Sequence, residues 1–130
     1  MVLESSAIVS ILLGDSYSER LLNHLEEAPV IAVGAPTLLE AAMVLSSRLN
    51  CDARPMIEGF LRRADAEIVP FSHEHYEVAG DAFLRFGKGR HPARLNFGDC
   101  LAYAVARLSG LPLLCVGDDF SETDLTLVRA

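Results

Sequence analysis

Leu95-Asn96-Phe97-Gly98-Asp99-Cys100-Leu101-Ala102-Tyr103-Ala104-Val105-Ala106-Arg107-Leu108-Ser109-Gly110, followed by Leu111-Pro112-Leu113-Leu114-Cys115-Val116-Gly117-Asp118-Asp119, decides the fold. Asn96 has a side chain suited to capping a helix. Leu101, Ala104, Val105 and Leu108 recur at helical spacing behind it, and Gly110 stops the helix. Leu113 to Val116 is then a short, unbroken apolar run, the pattern of a strand buried on both faces. A helix leading into such a strand, which ends on a glycine and two acids, is half of a parallel α/β unit.

The same alternation runs upstream. Met1 to Glu4 reads as a short buried strand ending in a charge, and Ser5 or Ser6 can cap a helix through Ala7, Ile8, Ile11, Leu12 and Leu13, with Gly14 as its stop. A second amphipathic helix carries Leu21, Leu22 and Leu25. Pro29 to Val33 is a second strand. Pro36 opens a helix from about Thr37 to Leu49, apolar nearly all round, and another covers about Pro55 to Ala64. Glu67 to Pro70 is a brief third strand, and Ser72 caps a helix through Tyr76, Val78, Ala79, Phe83 and Leu84. Gly87 to Leu95 is a loop, Leu113 to Val116 the fourth strand, and Leu125 to Val128 a candidate fifth. The expected architecture is α/β: one domain over residues 1–130, a mostly parallel sheet of four to five strands with helices on both faces.

The bulk properties agree. The chain has 130 residues, enough to bury about two-thirds of its unfolded surface. Half of it is hydrophobic (51%), which excludes a disordered chain. No apolar run approaches the roughly 18 residues of a membrane span, and the first residues lack the basic region of a signal peptide. Cys51, Cys100 and Cys115 are widely spaced and odd in number, so they are read as small buried hydrophobes in a reducing cytoplasm. The net charge of −7 opposes a polyanionic partner, yet Arg85, Lys88, Arg90 and Arg94 cluster with His91 and no acid among them.

Ligands of an open parallel sheet bind outside the carboxyl ends of its strands. Glu4 closes the first strand, Glu40 lies in the helix after the second, and Asp118 and Asp119 follow the fourth; Asp99 starts the late helix. Each acid also has an ordinary alternative role. Thr37 and Glu40, or Asn96 and Asp99, have the spacing of a capping box. Glu4 could be a solvated strand end, and aspartates are common in turns. Glu40 is the exception in its surroundings: it is the only charge between Ala28 and Ser47. An unpaired, half-buried carboxylate there needs hydrogen bonds or a cation. Several carboxylates tolerate one another around a divalent metal, and Mg²⁺ and Mn²⁺ favour oxygen ligands.

On these residues the chain resembles the PIN-domain ribonucleases, in particular the VapC-like toxins of bacterial toxin–antitoxin pairs. Four ordered segments carry the resemblance: Val2-Leu3-Glu4-Ser5-Ser6-Ala7-Ile8-Val9; Thr37-Leu38-Leu39-Glu40-Ala41; Gly87-Lys88-Gly89-Arg90-His91 with Leu95-Asn96-Phe97-Gly98-Asp99-Cys100; and Gly117-Asp118-Asp119-Phe120 with Thr123-Asp124. The resemblance implies an endoribonuclease with catalytic and metal-binding residues Glu4, Glu40, Asp99 and Asp119 holding Mg²⁺ or Mn²⁺. Asp118 and Asp124 compete for the fourth place. Ser6 is similar to a hydroxyl supporting the first acid, a role compatible with capping its helix. The resemblance further implies a VapB-like antitoxin partner that blocks the site, an RNA substrate, a homodimer and a cytoplasmic location. Lys88, Arg90 and Arg94 would contact RNA phosphates, or else form an ordinary solvated loop.

One departure stands out. The family's first acid is typically Asp, and here it is Glu4. One more C–C bond lengthens the side chain by roughly 1.5 Å, and misplacement near 1 Å costs on the order of a hundredfold in rate. This keeps open a weakened or silent PIN-like binding module. A phospho-receiver domain has similar size and an acidic pocket, but needs a late-strand lysine, and Lys88 is the only lysine. There is no P-loop or GxGxxG, and His73-Glu74-His75 lacks the spacing of a zinc-protease helix.

Overall fold

The computed structural model describes residues 1–130 and places five short strands and six helices in the order β1 (Val2–Leu3), α1 (Ser5–Leu13), α2 (Ser18–Glu27), β2 (Ala32–Gly34), α3 (Ala35–Leu49), α4 (Arg54–Arg63), β3 (Glu67–Val69), α5 (His73–Phe86), α6 (Phe97–Ser109), β4 (Leu113–Cys115) and β5 (Leu127–Arg129). The sheet runs β3-β2-β1-β4-β5 and every pairing is parallel. The alternation of short apolar strands with helices thus yields the expected α/β fold.

The period-two geometry of a strand sends alternate side chains to opposite faces, and two cores result. Val2, Ala32, Leu113 and Cys115 pack on one face with α5 and α6 residues such as Ala82, Phe86, Tyr103 and Val105. Leu3, Val33 and Leu114 pack on the other with Ile8, Leu21, Leu45, Ile57 and Phe60 of the first four helices. No helix is long and apolar enough to cross a membrane.

Some boundaries differ from the sequence expectation, for physical reasons. The second strand is Ala32–Gly34 rather than Pro29–Val33, because pairing with β1 and β3 begins at Ala32. Helix α3 begins at Ala35, with Pro36 inside its first turn, and not at Thr37. Helix α1 is capped by Glu4 itself, while Ser5 and Ser6 lie within it. Helix α3 is not buried all round, since Leu39 and Met43 remain exposed. Cys100 and Cys115 are buried as expected, but Cys51 is exposed beyond the end of α3.

In this strand order the chain moves from β1 outward through β2 to β3, then returns to place β4 on the other side of β1. The junction of β1 and β4 is the point where strand order reverses, and its carboxyl edge is where such sheets bind ligands. Glu4 leaves β1 at this edge and Gly117-Asp118-Asp119 leaves β4.

Candidate metal centre

Glu4 is buried, with its backbone N–H donating to the Leu114 carbonyl oxygen at 3.0 Å. Its carboxylate folds back onto α1: Oε1 accepts from the Ser5 hydroxyl at 2.7 Å and Oε2 from the Ser6 N–H at 2.8 Å. The Ser6 hydroxyl accepts from the Val116 N–H at 3.0 Å, tying the start of α1 to the end of β4. Ser6 thus joins the first turn of α1 to the residue after β4, and Glu4 performs the capping.

Asp99 is also buried. Asn96 and Asp99 form a reciprocal capping box: the Asn96 side chain accepts from the Asp99 N–H at 2.9 Å, and Asp99 Oδ2 accepts from the Asn96 N–H at 3.0 Å. The ordinary capping role and a place in the site therefore coexist, since the other carboxylate oxygen stays free for a ligand. Burial pushes the Asp99 carboxyl up to about 6, against the pull of its bond to the Asn96 N–H. The negative charges of Asp119, Glu4 and Glu40 push it in the same direction.

Glu40 reaches the same place from α3. With the helix starting at Ala35, Glu40 falls in its second turn and the Thr37 capping box does not form. Its half-buried carboxylate lies against Gly98, where a Cβ would fall 2.9 Å from Cδ and 3.1 Å from Oε1. Gly98 thus admits Glu40 to the first turn of α6, beside Asp99. Asp119 lies on the exposed turn after β4. Glu4, Glu40 and Asp119 all lie near enough for their charges to act on Asp99, and no arginine, lysine or histidine forms a salt bridge with any of the four.

The competing aspartates are drawn elsewhere. Asp118 is bound to Arg129 of β5 at 2.7 Å. Asp124 accepts from the Tyr103 hydroxyl at 2.7 Å and faces Arg85 at 3.4 Å and Arg107 at 3.7 Å. Lys88, Arg90 and Arg94 are exposed and have no carboxylate partner; Arg90 lies over the Phe83 ring. The loop that carries them is closed at its base by the Lys88 N–H donating to the Leu95 carbonyl oxygen at 3.0 Å.

The donor set consists of carboxylate oxygens, the ligands favoured by Mg²⁺ and Mn²⁺. No three acids converge tightly enough to enclose an ion by themselves. Mg²⁺ keeps several waters and binds through one or two carboxylates, so these residues fit a partly hydrated ion. Sequence reading offered Ser5 only as a helix cap and gave Gly98 no role. Gly98 had a visible signal, a glycine directly before the acid in a capped first turn; the Ser5 contact depends on the Glu4 rotamer and left none.

A family model for the PIN domain matches residues 1–125. The chain is 40% identical over 126 residues to the VapC ribonuclease Mb2004c of Mycobacterium bovis, covering 96% of this chain and 91% of that protein. It is 38% identical over 129 residues to the ribonuclease VapC of Mycolicibacterium smegmatis, covering 99% of this chain and 100% of that one. Among solved structures, Mycobacterium tuberculosis VapC20, described as a sarcin–ricin loop cleaving toxin, superposes with a TM-score of 0.77 at 21% identity, over 99% of this chain and 98% of that one. VapBC2 from Rickettsia felis, bound to a promoter DNA fragment, gives 0.75 at 19% identity, over 98% of this chain and 96% of that one.

Proposed function

The chain belongs to the PIN domain family, and from that premise we propose that it is a VapC-type ribonuclease toxin that cuts RNA at the four-carboxylate cluster with a divalent cation. The observation that carries this reading is Asp99. It is a buried carboxyl with three other acids around it and no cation of the chain to balance them. Such a cluster is costly unless a cation arrives from outside.

Glu4, Glu40, Asp99 and Asp119 would hold Mg²⁺ or Mn²⁺, which when bound supplies an activated water and positive charge beside the scissile phosphate. The chain's own residues do the positioning. Ser5 and Ser6 fix both oxygens of Glu4, Asn96 fixes one oxygen of Asp99, and Gly98 lets Glu40 approach. Lys88, Arg90 and Arg94 would hold flanking phosphates of a single-stranded or looped RNA, offsetting locally the net charge of −7. Water adds to phosphorus as the bond to the 3′-oxygen breaks, giving a 5′-phosphate and a 3′-hydroxyl.

The partner in this reading is a VapB-like antitoxin that blocks the site in the cytoplasm. Solved VapBC complexes of this fold support it. So does an apolar groove of about 570 Å³ lined by Ile11, Leu12, Leu22, Leu25, Met56 and Phe60, which would accept an amphipathic helix. The toxin would act as a homodimer, and the exposed Tyr76, Phe83 and Leu84 of α5 supply an apolar face for it.

The extra methylene of Glu4 leaves a silent module that binds without cutting as the alternative. The fold-back of the Glu4 side chain, whose carboxylate accepts an N–H that a shorter capping aspartate would also accept, supports the cutting reading over it. The test is cleavage of a structured RNA with Mg²⁺ or Mn²⁺ and with EDTA. Cleavage is expected only with the cation and only with Asp99 intact. Cleavage indifferent to EDTA would remove the metal from the reading, and an Asp99→Asn variant that cuts normally would remove the site.

A further inference from the structure

Phe97 is the most exposed of the large apolar side chains, at 81%. It is not a loosely held residue. It opens α6 between Asn96 and Asp99, whose reciprocal hydrogen bonds fix the first turn. No ring or guanidinium of the chain stacks on it. A rigid backbone thus presents a bare aromatic face to solvent at the border of the carboxylate cluster.

We propose that the Phe97 ring is a stacking platform for a base of the single-stranded RNA that is cut at this cluster, which rests on the reading of the cluster as a nuclease site. The placement argues for it. Residues two apart on a helix have Cα atoms about 5.4 Å apart, with side chains diverging by about 200°. The ring therefore points to the other side of the helix from Asp99 and leaves the carboxylate open, while its neighbour Gly98 lies against the Glu40 carboxylate, so a nucleotide next to the scissile phosphate is within reach of the ring at the helix end. Three residues before Phe97 stands Arg94, exposed and without a carboxylate partner, with Lys88 and Arg90 on the same loop. A ligand spanning these features needs a planar apolar face and an anionic backbone, which is the chemistry of single-stranded nucleic acid.

A second copy of the chain is the other occupant to consider for an exposed ring. A copy would have to supply anionic groups for Lys88, Arg90 and Arg94 as well as a face for the ring, whereas single-stranded RNA carries both on every nucleotide. A π-face has no sequence preference of its own, since every base offers one. Phe97 would therefore set affinity and placement of the strand rather than the identity of the base.

The experiment measures binding of a fluorescein-labelled single-stranded RNA in Mg²⁺, in the Asp99→Asn background so that cleavage does not intervene. Phe97→Ala should weaken binding by about 5- to 150-fold, the range for loss of one base–aromatic stack. Phe97→Leu, which keeps apolar bulk without a π-face, should weaken it similarly, and Phe97→Trp should retain it. The chain has no tryptophan, so Phe97→Trp is also a single reporter. Its emission should be quenched by RNA and unmoved by inorganic polyphosphate. Equal affinity in the alanine variant, unmoved tryptophan emission with RNA, or a lower particle mass for Phe97→Ala than for its parent on light scattering without RNA would each overturn the proposal, the last by placing the ring between copies. Failure of the nuclease reading is separately visible: the unaltered protein would then leave RNA uncut, or Asp99→Asn alone would cut it equally.

Discussion

Asp99 and Asp124 are both held by hydrogen bonds, yet their surroundings are opposite. Asp99 sits among Glu4, Glu40 and Asp119 with no cation, and its carboxyl is pushed up to about 6, chiefly by burial. Asp124 is also penalised by burial, but the Tyr103 hydroxyl, Arg85 and Arg107 outweigh it and hold its carboxyl below the usual range. The fold neutralises Asp124 from its own side chains and leaves Asp99 unbalanced. A balanced carboxylate fastens the tail to α5 and α6. An unbalanced one stores electrostatic cost that protonation or a cation from outside relieves.

The sharpest way to break this contrast is Asp99→Asn. Asn keeps an oxygen for the Asn96 N–H, so the first turn of α6 should survive. Cleavage should fall at least a hundredfold. Stability should move the other way. The unfolded carboxyl loses its proton near 3.8 and the folded one near 6, so the folded state holds more protons between these values and stability falls as pH rises through that window. The loss is full above about pH 6 and amounts to about 3 kcal/mol for two units. Without divalent cations, Asn should therefore be more stable than Asp at pH 7.5 by up to that amount, with the difference vanishing near pH 4. Mg²⁺ should then stabilise the unaltered protein more than the variant. Melting curves across pH 4–8 check this, and a difference independent of pH would show that Asp99 is not strained by charge.

Gly98→Ala should have the next largest effect, because the added methyl would take the space of the Glu40 carboxylate. The obstructing atoms are the end of a flexible side chain, so the protein should fold with little change in melting temperature. Displacing Glu40 by about 1 Å should cost cleavage on the order of a hundredfold or somewhat less. A raised Mg²⁺ requirement with an unchanged melt is the expected signature. Unaltered cleavage would mean that Glu40 need not lie against α6.

What could be read from sequence was whatever is encoded locally. The Asn96 cap with its partner Asp99, the Gly14 and Gly110 stops and the short apolar strands all depend on neighbours a few residues away. Their reading matches the structure. The Thr37 and Glu40 pair had the same spacing as Asn96 and Asp99 but a different outcome, because Pro36 lies inside the first turn and the helix starts at Ala35. The three aspartates of the tail were not separable locally. Asp118 and Asp124 are removed from the cluster by Arg129, Tyr103, Arg85 and Arg107, partners 11 to 39 residues away. The Gly98 approach to Glu40 is likewise a contact between helices far apart in the chain.

The balanced side of the comparison predicts a smaller effect of a different kind. Tyr103 is buried, and phenylalanine fits the same space. Tyr103→Phe should remove one hydrogen bond to a charged group. Because Asp124 keeps access to water, the loss should be about 1–2 kcal/mol, toward the lower end for such bonds. Cleavage should stay within about twofold. A fall in cleavage as large as that of Gly98→Ala, with no loss of stability, would instead put Asp124 in the site.

The smallest effect belongs to Glu4→Asp, where the sequence alone left a large one open. A carboxylate one C–C bond longer than the family's usual aspartate is misplaced only if the side chain extends. Here Oε2 accepts the Ser6 N–H at 2.8 Å and Oε1 the Ser5 hydroxyl at 2.7 Å, so the chain curls onto its own helix. Aspartate at the same position caps the same N–H groups without curling. With the aspartate carboxylate on the same N–H, Glu4→Asp should change cleavage by no more than about twofold with little change in stability, well short of the hundredfold cost of a 1 Å displacement. Ser5→Ala is the complement: it frees Oε1, leaves Glu4 held by the Ser6 N–H alone, and should reduce cleavage more than Glu4→Asp does. A gain of tenfold or more in Glu4→Asp would show that the fold-back does not restore the aspartate position and that this chain is a weakened enzyme.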